Sequence, residues 1–526
     1  MTTMSLPLNS DLSDSVQKMA LQNSYILNEI FSYLKPDRST EDLHEIKKQL
    51  GWAALTCRAF VEPAGDAQWS LLTSPRPLFR CFQQLALVGE SYDIRGTISE
   101  QDLSTFSRLA RKVKILVYCP HVEQQPLSGH AFLRVANLRQ SSDPIFPSLR
   151  EFHLTLSDWT NHELMHIASP SLTRVMIEGI SEEYTTTVAA FMLGLHYRAK
   201  SLAFLGLKGT ATKIPSYDIS QLRSLVSLSI VGMVGAITTK SLKDLSTLCA
   251  LESIELDVDN IQPRTLSSGP VWTCGSVSTL KHLTVRGKPQ GIMAFMTGLS
   301  GVPLASLHVT INIDELRTGP QDFVNSLPWA AFNSLHHLHI EDLARILPRL
   351  RTRFSHFGKL PLDLGYFFCK FLNLQWLRYD CPGISLNESE FDSIISQLRW
   401  PRLETFSVPL LPIEGCPQLD QIRKFVLQHP HLRYLQIPVQ FEPGNIPDPT
   451  MFSTMPSFGL ETLLITSRNE MDDETVIRLA EYLDHLFPNL KNMNYSQEFE
   501  GQKWRQVFRS MQLCQRIREK AQRQIL

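Results

Sequence analysis

Leu280-Lys281-His282-Leu283-Thr284-Val285, Leu304-Ala305-Ser306-Leu307-His308-Val309 and Leu335-His336-His337-Leu338-His339-Ile340 share one wording: an apolar residue, a second three places on, and a third five places on. Toward the N-terminus the spacing recurs at Leu251/Ile254/Leu256, Leu225/Leu228/Ile230, Leu202/Leu205/Leu207, Leu172/Val175/Ile177 and Leu149/Phe152/Leu154. A weaker copy stands at Val113/Leu116/Tyr118. Toward the C-terminus it recurs at Leu374/Leu377/Tyr379, Leu403/Phe406/Val408, Leu432/Leu435/Ile437, Leu460/Leu463/Ile465 and Leu490/Met493/Tyr495. From Leu149 to Leu490 the mean period is about 28 residues, within the roughly 20–29 of short strand-containing repeats.

A second period lies between the copies. Val188/Phe191/Met192/Leu195, Ile292/Phe295/Met296/Leu299, Phe391/Ile394/Ile395/Leu398 and Val476/Leu479/Ala480/Leu483 each mark one face of an amphipathic helix. The repeating unit is therefore a strand followed by a helix, and neither can bury its apolar side alone. The expected class is α/β: an irregular solenoid with parallel strands on the concave side and helices on the convex side. Offsets 3 and 5 point into the core, whereas offsets 2, 4 and 6 line the opposite strand face. Over roughly residues 110–500 the chain resembles the leucine-rich-repeat family. Regular members carry Asn or Cys at offset 8, where only Asn312 fits here, so the turns must be satisfied differently.

Residues 16–80 do not share the repeat. Leu27, Ile30, Phe31 and Leu34 mark a helix that ends before Pro36; a charged segment and then Trp52, Ala53, Leu55, Cys57, Phe60 and Trp69 follow. The pattern predicts a small three-helix bundle with more apolar surface than so short a segment can cover, which points to a binding module. The plainer reading is an N-terminal cap for the repeats. Ile26-Leu27-Asn28-Glu29-Ile30-Phe31-Ser32-Tyr33-Leu34, Ala54-Leu55-Thr56-Cys57-Arg58-Ala59-Phe60 and Glu62-Pro63-Ala64 with Trp69 resemble, in order, three pieces of the F-box family in its fungal form. Asn23-Ser24 stands where that family usually has Leu-Pro. The resemblance implies that Leu27, Ile30, Phe31, Leu34, Leu55, Cys57, Phe60 and Trp69 divide between the module's own core and a face that binds a Skp-type adaptor, and through it a cullin–RING ligase.

The bulk numbers narrow the classes. The chain has 526 residues, 51 basic and 52 acidic. That balance gives no general attraction to nucleic acid or to an anionic membrane. Nine cysteines without a C-x-x-C pair fit free thiols in the cytoplasm or nucleus. Residues 1–15, expected to be disordered, show no signal-peptide pattern, and no apolar run is long enough to span a bilayer. The glycosylation triplets at Asn387 and Asn494 carry no meaning in such a compartment.

No nucleotide-binding loop, zinc-protease motif or nucleophile elbow occurs. Cys119, His121 and His130 are weighed as metal ligands, but no fourth ligand is suitably spaced, so no metal or cofactor is expected. Asp472-Asp473-Glu474 are weighed as an acidic pair for proton transfer, and more simply as a helix N-terminus. The basic segment 501–526 is weighed as a surface for RNA or an acidic partner, and favoured as a cap helix.

The expected organisation is thus an F-box-like domain at 16–80, a linker with first irregular repeats at 81–148, a solenoid at 149–500 and a cap helix at 501–526. The expected function is the non-catalytic substrate receptor of a Skp/cullin/F-box ubiquitin ligase. The alternatives are an F-box scaffold without a ubiquitination role, and an enzyme hidden in 81–148. Offsets 2 and 4 place His282, His308, His337, His339, Trp376, Arg378 and Tyr434 on one surface. Trp, Tyr and Arg dominate binding hot spots, and His beside Arg suits an acidic or phosphorylated peptide.

Overall fold

The computed structural model describes residues 23–36, 42–120, 123, 125–139, 143–156, 164–261, 279–299, 302–312, 323, 326–329, 332–342, 360–361, 371–381, 384–397, 400–408, 415–442, 444, 446–447, 459–467, 471–495 and 501–525. The N-terminal segment 1–15, His121 and Leu398 lie outside them. The chain divides into two compact units, Met1–Met233 and Val234–Leu526.

The first unit opens with helices Ser24–Ser32, Leu43–Thr56 and Val61–Ser70 and a short 3-10 turn, Arg58–Phe60. Asn23 starts the first helix by accepting the Tyr25 and Ile26 N–H groups on its side-chain oxygen, at 3.0 and 3.3 Å. The second stops where Cys57 turns extended. Phe31, Leu50, Ala64 and Ala67 form a small core with Ile46, Ala53, Ala54 and Phe60 against it. The Phe31 and Phe60 rings meet edge-on at 5.5 Å.

The third helix runs straight into strand β1, Leu71–Leu72, which pairs in parallel with β4, Ile115–Tyr118. Trp69 therefore belongs to the last turn before the sheet. An antiparallel hairpin, β2 (Leu85–Val88) and β3 (Ser91–Ile94), intervenes. Phe79, Phe82, Phe106 and Phe132 pack behind it with centroids 5.0–5.9 Å apart. The parallel order then continues through β5 (Glu151–Thr155), β6 (Arg174–Ile180), β7 (Phe204–Gly209) and β8 (Ser227–Val231).

The second unit repeats the scheme. Its strands are β9 (Ser253–Asp257), β10 (His282–Gly287), β11 (Ser306–Ile311), β12 (His337–Asp342), β14 (Trp376–Asp380), β16 (Thr405–Ser407), β17 (Tyr434–Pro438), β18 (Thr462–Thr466) and β19 (Asn492–Tyr495). Each pairs in parallel with the next. A two-residue pair, β13 (Leu360–Pro361) and β15 (Ile384–Ser385), stands apart. Among the described residues fifteen strands belong to parallel sheet, six in the first unit and nine in the second.

The ladder register equals the sequence repeat. Offset 2 pairs with offset 2 throughout, as in His282 with Ser306 and Ser306 with His337. The apolar triads are buried from Val113 to Met493; Tyr495 has no described side chain. One backbone device recurs: the carbonyl at offset 1 accepts two N–H groups of the next repeat, as Ala305 does from His336 and His337, at 2.9 and 3.0 Å. The helices cover the triad face. Phe191 of the Thr185–Arg198 helix meets Phe152 at 6.1 Å, and Phe425 of the Leu419–Gln428 helix meets Phe406 at 4.9 Å.

Four of the turns carry glycine at offset 7, Gly179, Gly209, Gly232 and Gly287, rather than Asn at offset 8. Gly179 and Gly232 both sit at φ 77° just past their triads, a conformation that costs a residue with a Cβ but not glycine. At Asn387, in one of the glycosylation triplets, the side chain caps the Glu388–Gln397 helix, accepting the Glu390 N–H at 2.9 Å. Asp472 does the same for the Asp473–Leu486 helix through the Thr475 N–H at 2.8 Å. The acidic run is a helix start. The basic C-terminal segment is helix Gly501–Ile525, whose Trp504, Val507 and Met511 are buried. It packs on the Asp473–Leu486 helix, with Lys503 2.7 Å from Asp473 and Arg518 on Asp484. This is how the cap-helix reading would bury its apolar side.

Candidate functional site

Two surfaces carry the residues singled out above. The first is the helical module, where the structure sorts the eight candidates. Leu27 and Phe31 face inward, at 3% and 4% exposure. Ile30, Leu34 and Leu55 face outward, at 51%, 47% and 85%. Cys57 is also exposed, and Phe60 and Trp69 are half-buried. Ile26 and Ile30, four residues apart, share the outer side of the first helix; Tyr25 on that helix and Tyr33 and Leu34 just past its end are also exposed. Trp52, three residues before Leu55, is exposed as well, with Lys48 Nζ 4.7 Å above its ring. Sequence periodicity found the helix but missed Tyr25, Tyr33 and Trp52 as surface groups.

The second surface is the strand face of the second unit opposite the buried triads. Register brings His308, His339, Trp376 and Arg378 together on β11, β12 and β14. The His308 and His339 rings stack 4.2 Å apart and 10° from parallel, and Trp376 meets His339 edge-on at 5.5 Å. His282 and His337 are exposed on the neighbouring row, two strands apart with Ser306 between. Burial first, then the neighbouring His336 and His282, holds the His337 imidazole below the usual histidine range. Tyr434 lies two strands from Trp376, across Thr405, and its hydroxyl donates to Gln436 Oε1 at 3.1 Å.

The offset-6 row supplies groups that offsets 2 and 4 do not name. His308 Nε2 donates to Glu341 Oε1 at 2.9 Å, and the Thr310 hydroxyl donates to the same oxygen at 3.0 Å. His339 Nε2 stands 3.6 Å from both Glu341 Oε2 and Asp380 Oδ2. Arg378 donates through Nε to the buried Asp380. Burial raises the Glu341 carboxyl, but the His308 hydrogen bond, the charges of both histidines and Thr310 outweigh it and hold the group below the usual range. The cations expected to meet an acidic peptide are thus already paired with Glu341 and Asp380. Extending the strand alternation by two residues would have found both.

The other metal candidates go separate ways. Cys119 Sγ lies 3.3 Å from the Thr155 hydroxyl, and His130 Nδ1 lies 3.1 Å from Asp93. No disulfide joins the described cysteines, and among the described residues no helix is long and apolar enough to cross a membrane.

No family model matches the sequence, and no curated protein matches it. Among solved structures the chain is similar to the crystal structure of the Rad7 and Elc1 complex in yeast, at 14% identity, over 88% of this chain and 94% of that one, with a TM-score of 0.33. Identity and superposition are both too low for that likeness to bear on function.

Proposed function

We propose that the chain is a non-catalytic substrate receptor of a Skp/cullin/F-box ubiquitin ligase, acting in the cytoplasm or nucleus. Residues 16–80 would be the adaptor-binding domain, 81–148 the linker with first repeats, 149–500 the repeat array and 501–526 its cap. One observation carries the reading. A segment worded like an F-box keeps Leu27 and Phe31 for its own core and leaves Ile30, Leu34 and Leu55 in solvent. Large apolar groups clustered on so small a module are what a partner's apolar groove would cover.

The repeats would hold the substrate on the face carrying His282, His308, His337, His339, Trp376, Arg378 and Tyr434. Trp376 supplies an aromatic anchor, and the paired histidines and carboxylates around it supply fixed polar contacts.

The test is co-purification of the full chain with a Skp-type adaptor. The Ile30→Asp/Leu34→Asp variant is expected to lose the adaptor, because a charge at either position cannot be desolvated in an apolar groove. Full adaptor capture by that variant, with an unchanged circular dichroism spectrum, would overturn the proposal. An adaptor-bound chain that leaves every captured protein unmodified by ubiquitin would instead mark an assembly scaffold.

A further inference from the structure

We propose that His308, His339 and Glu341 form a binding site for a zinc-class divalent transition ion on the strand face of the second unit. The inference is independent of the adaptor reading. No metal is expected from the sequence, where Cys119, His121 and His130 lack a suitably spaced fourth ligand; the three residues here are a different set.

The backbone sets the ligand spacing. His308 is on β11; His339 and Glu341 are on β12, two residues apart and so on the same face. Register places His308 directly beside His339, with Glu341 one pleat further along. Their three donor atoms lie within 4.8 Å of one another. In a tetrahedral zinc site, metal–ligand bonds of about 2.0–2.2 Å put neighbouring donor atoms roughly 3.3–3.5 Å apart. His308 Nε2 is 2.9 Å from Glu341 Oε1 and His339 Nε2 is 3.6 Å from Oε2, the other oxygen of the same carboxylate, so either oxygen stands close to that edge length from one ring.

A second observation points to a missing ligand. His339 Nε2 is buried and makes no hydrogen bond. It stands between two carboxylates, each 3.6 Å away, too far to accept its proton well. A buried ring nitrogen in that position is costly without a partner, and an ion among the three donors would satisfy it. Binding takes the Nε2 lone pair of both rings, so a ring protonated on Nε2 alone passes to the Nδ1–H tautomer and a doubly protonated ring releases one proton to solvent. The two rings, now stacked, must turn toward one another about their terminal torsions, which are broad.

The surroundings resemble an outer shell. Thr310 donates to Glu341 Oε1, Trp376 butts against the His339 ring, and Arg378 fixes Asp380 beside the vacant side of His339. Such partners orient ligands and tune affinity. The donor types select the ion. Two imidazoles and a carboxylate suit zinc and its neighbours, not calcium or magnesium, which take oxygen ligands. Cys381 is close in sequence but fully buried. Burial, chiefly, pushes its thiol far up, so it offers no thiolate. Three protein ligands leave one coordination position for water or a donor from a partner.

The experiment uses the full chain, stripped with a chelator and titrated with Zn2+ against a chromophoric competitor, then with Co2+ in a visible spectrum. The wild type is expected to take up one equivalent and to show a nitrogen/oxygen Co2+ spectrum without a thiolate band. His308→Ala/His339→Ala is expected to weaken that uptake by at least about 100-fold, and Glu341→Gln by about 10-fold or more. Absence of uptake by the wild type up to about 100 μM free Zn2+ would overturn the site. So would undiminished uptake by the folded double variant, or a thiolate band. Should the double variant not fold, the Glu341→Gln titration and the wild-type Co2+ spectrum decide: unchanged affinity or a thiolate band refutes the site.

Discussion

The helical module and the strand face of the second unit present opposite surfaces. The module keeps a core of a few side chains and leaves Ile30, Leu34, Trp52 and Leu55 exposed. The strand face rests on triads that are buried almost without exception, and what it exposes is polar and internally paired. A small module has too little interior to bury all its apolar groups, so the surplus becomes a docking surface. A long repeat buries its apolar groups by stacking and leaves the other strand face for chosen polar chemistry. The first surface gains mostly from being covered, whereas the second arrives with several of its hydrogen bonds already made, those of Glu341 with His308 and Thr310 among them.

The largest expected effect breaks the comparison at the module. Leu27→Asp/Phe31→Asp places two charges at buried positions of the first helix, one of them in the module's small core, at a cost of about 4 kcal/mol or more, enough to unfold it. Limited proteolysis should then cut within residues 23–70 while the second unit keeps its protection. Ile30→Asp/Leu34→Asp should shift stability by less than about 1 kcal/mol, because both side chains already meet water. If the two pairs behave alike, the division between inner and outer faces is wrong.

On the strand face the sensitive element is a pair. Arg378→Ala removes the guanidinium from buried Asp380 and should cost about 1–3 kcal/mol in denaturant unfolding. Adding Asp380→Asn should recover part of that loss, since the amide no longer carries a charge. Strict additivity would show that the two residues are not coupled. In the same unit, Asp472→Ala should remove the N-cap of its helix, measured as reduced protection of the Thr475 amide.

The smallest effect depends on pH. The folded state lowers the Glu341 carboxyl, with burial opposed and outweighed by His308, His339 and Thr310. A lowered carboxyl contributes stability above its unfolded value of about 4.3, and that contribution disappears as the pH falls through the folded value. The stability gap between wild type and Glu341→Gln should therefore be present at neutral pH and narrow in acid. A gap that widens below that point would contradict the arrangement of His308, His339 and Thr310 around Glu341.

Substrate capture sharpens the comparison from the other side. Ala substitution of His308, His339, Trp376 and Arg378 together is expected to abolish co-purification of substrate and leave adaptor capture intact. Retained substrate at full strength would move the site off this face.

The sequence determined the strand-and-helix repeat because burial acts locally: a strand with apolar residues at offsets 3 and 5 and polar ones between has only one side to hide. It also determined the register, since slipping by one residue would expose every triad. For the same reason Val188, Phe191, Met192 and Leu195 announced their helix. Tertiary structure alone decided what depends on distance across strands. Phe31 and Ile30 are both apolar in sequence, and only the packing of Phe31 against Phe60 and Ala64 separates the core side of that helix from the surface side. Glu341 lies 33 residues from His308 and reaches it through a hydrogen bond. A polar residue on an open strand face leaves no periodic trace of its partner. The hydrophobic effect writes itself along the chain as a period, whereas a hydrogen bond is written only in space.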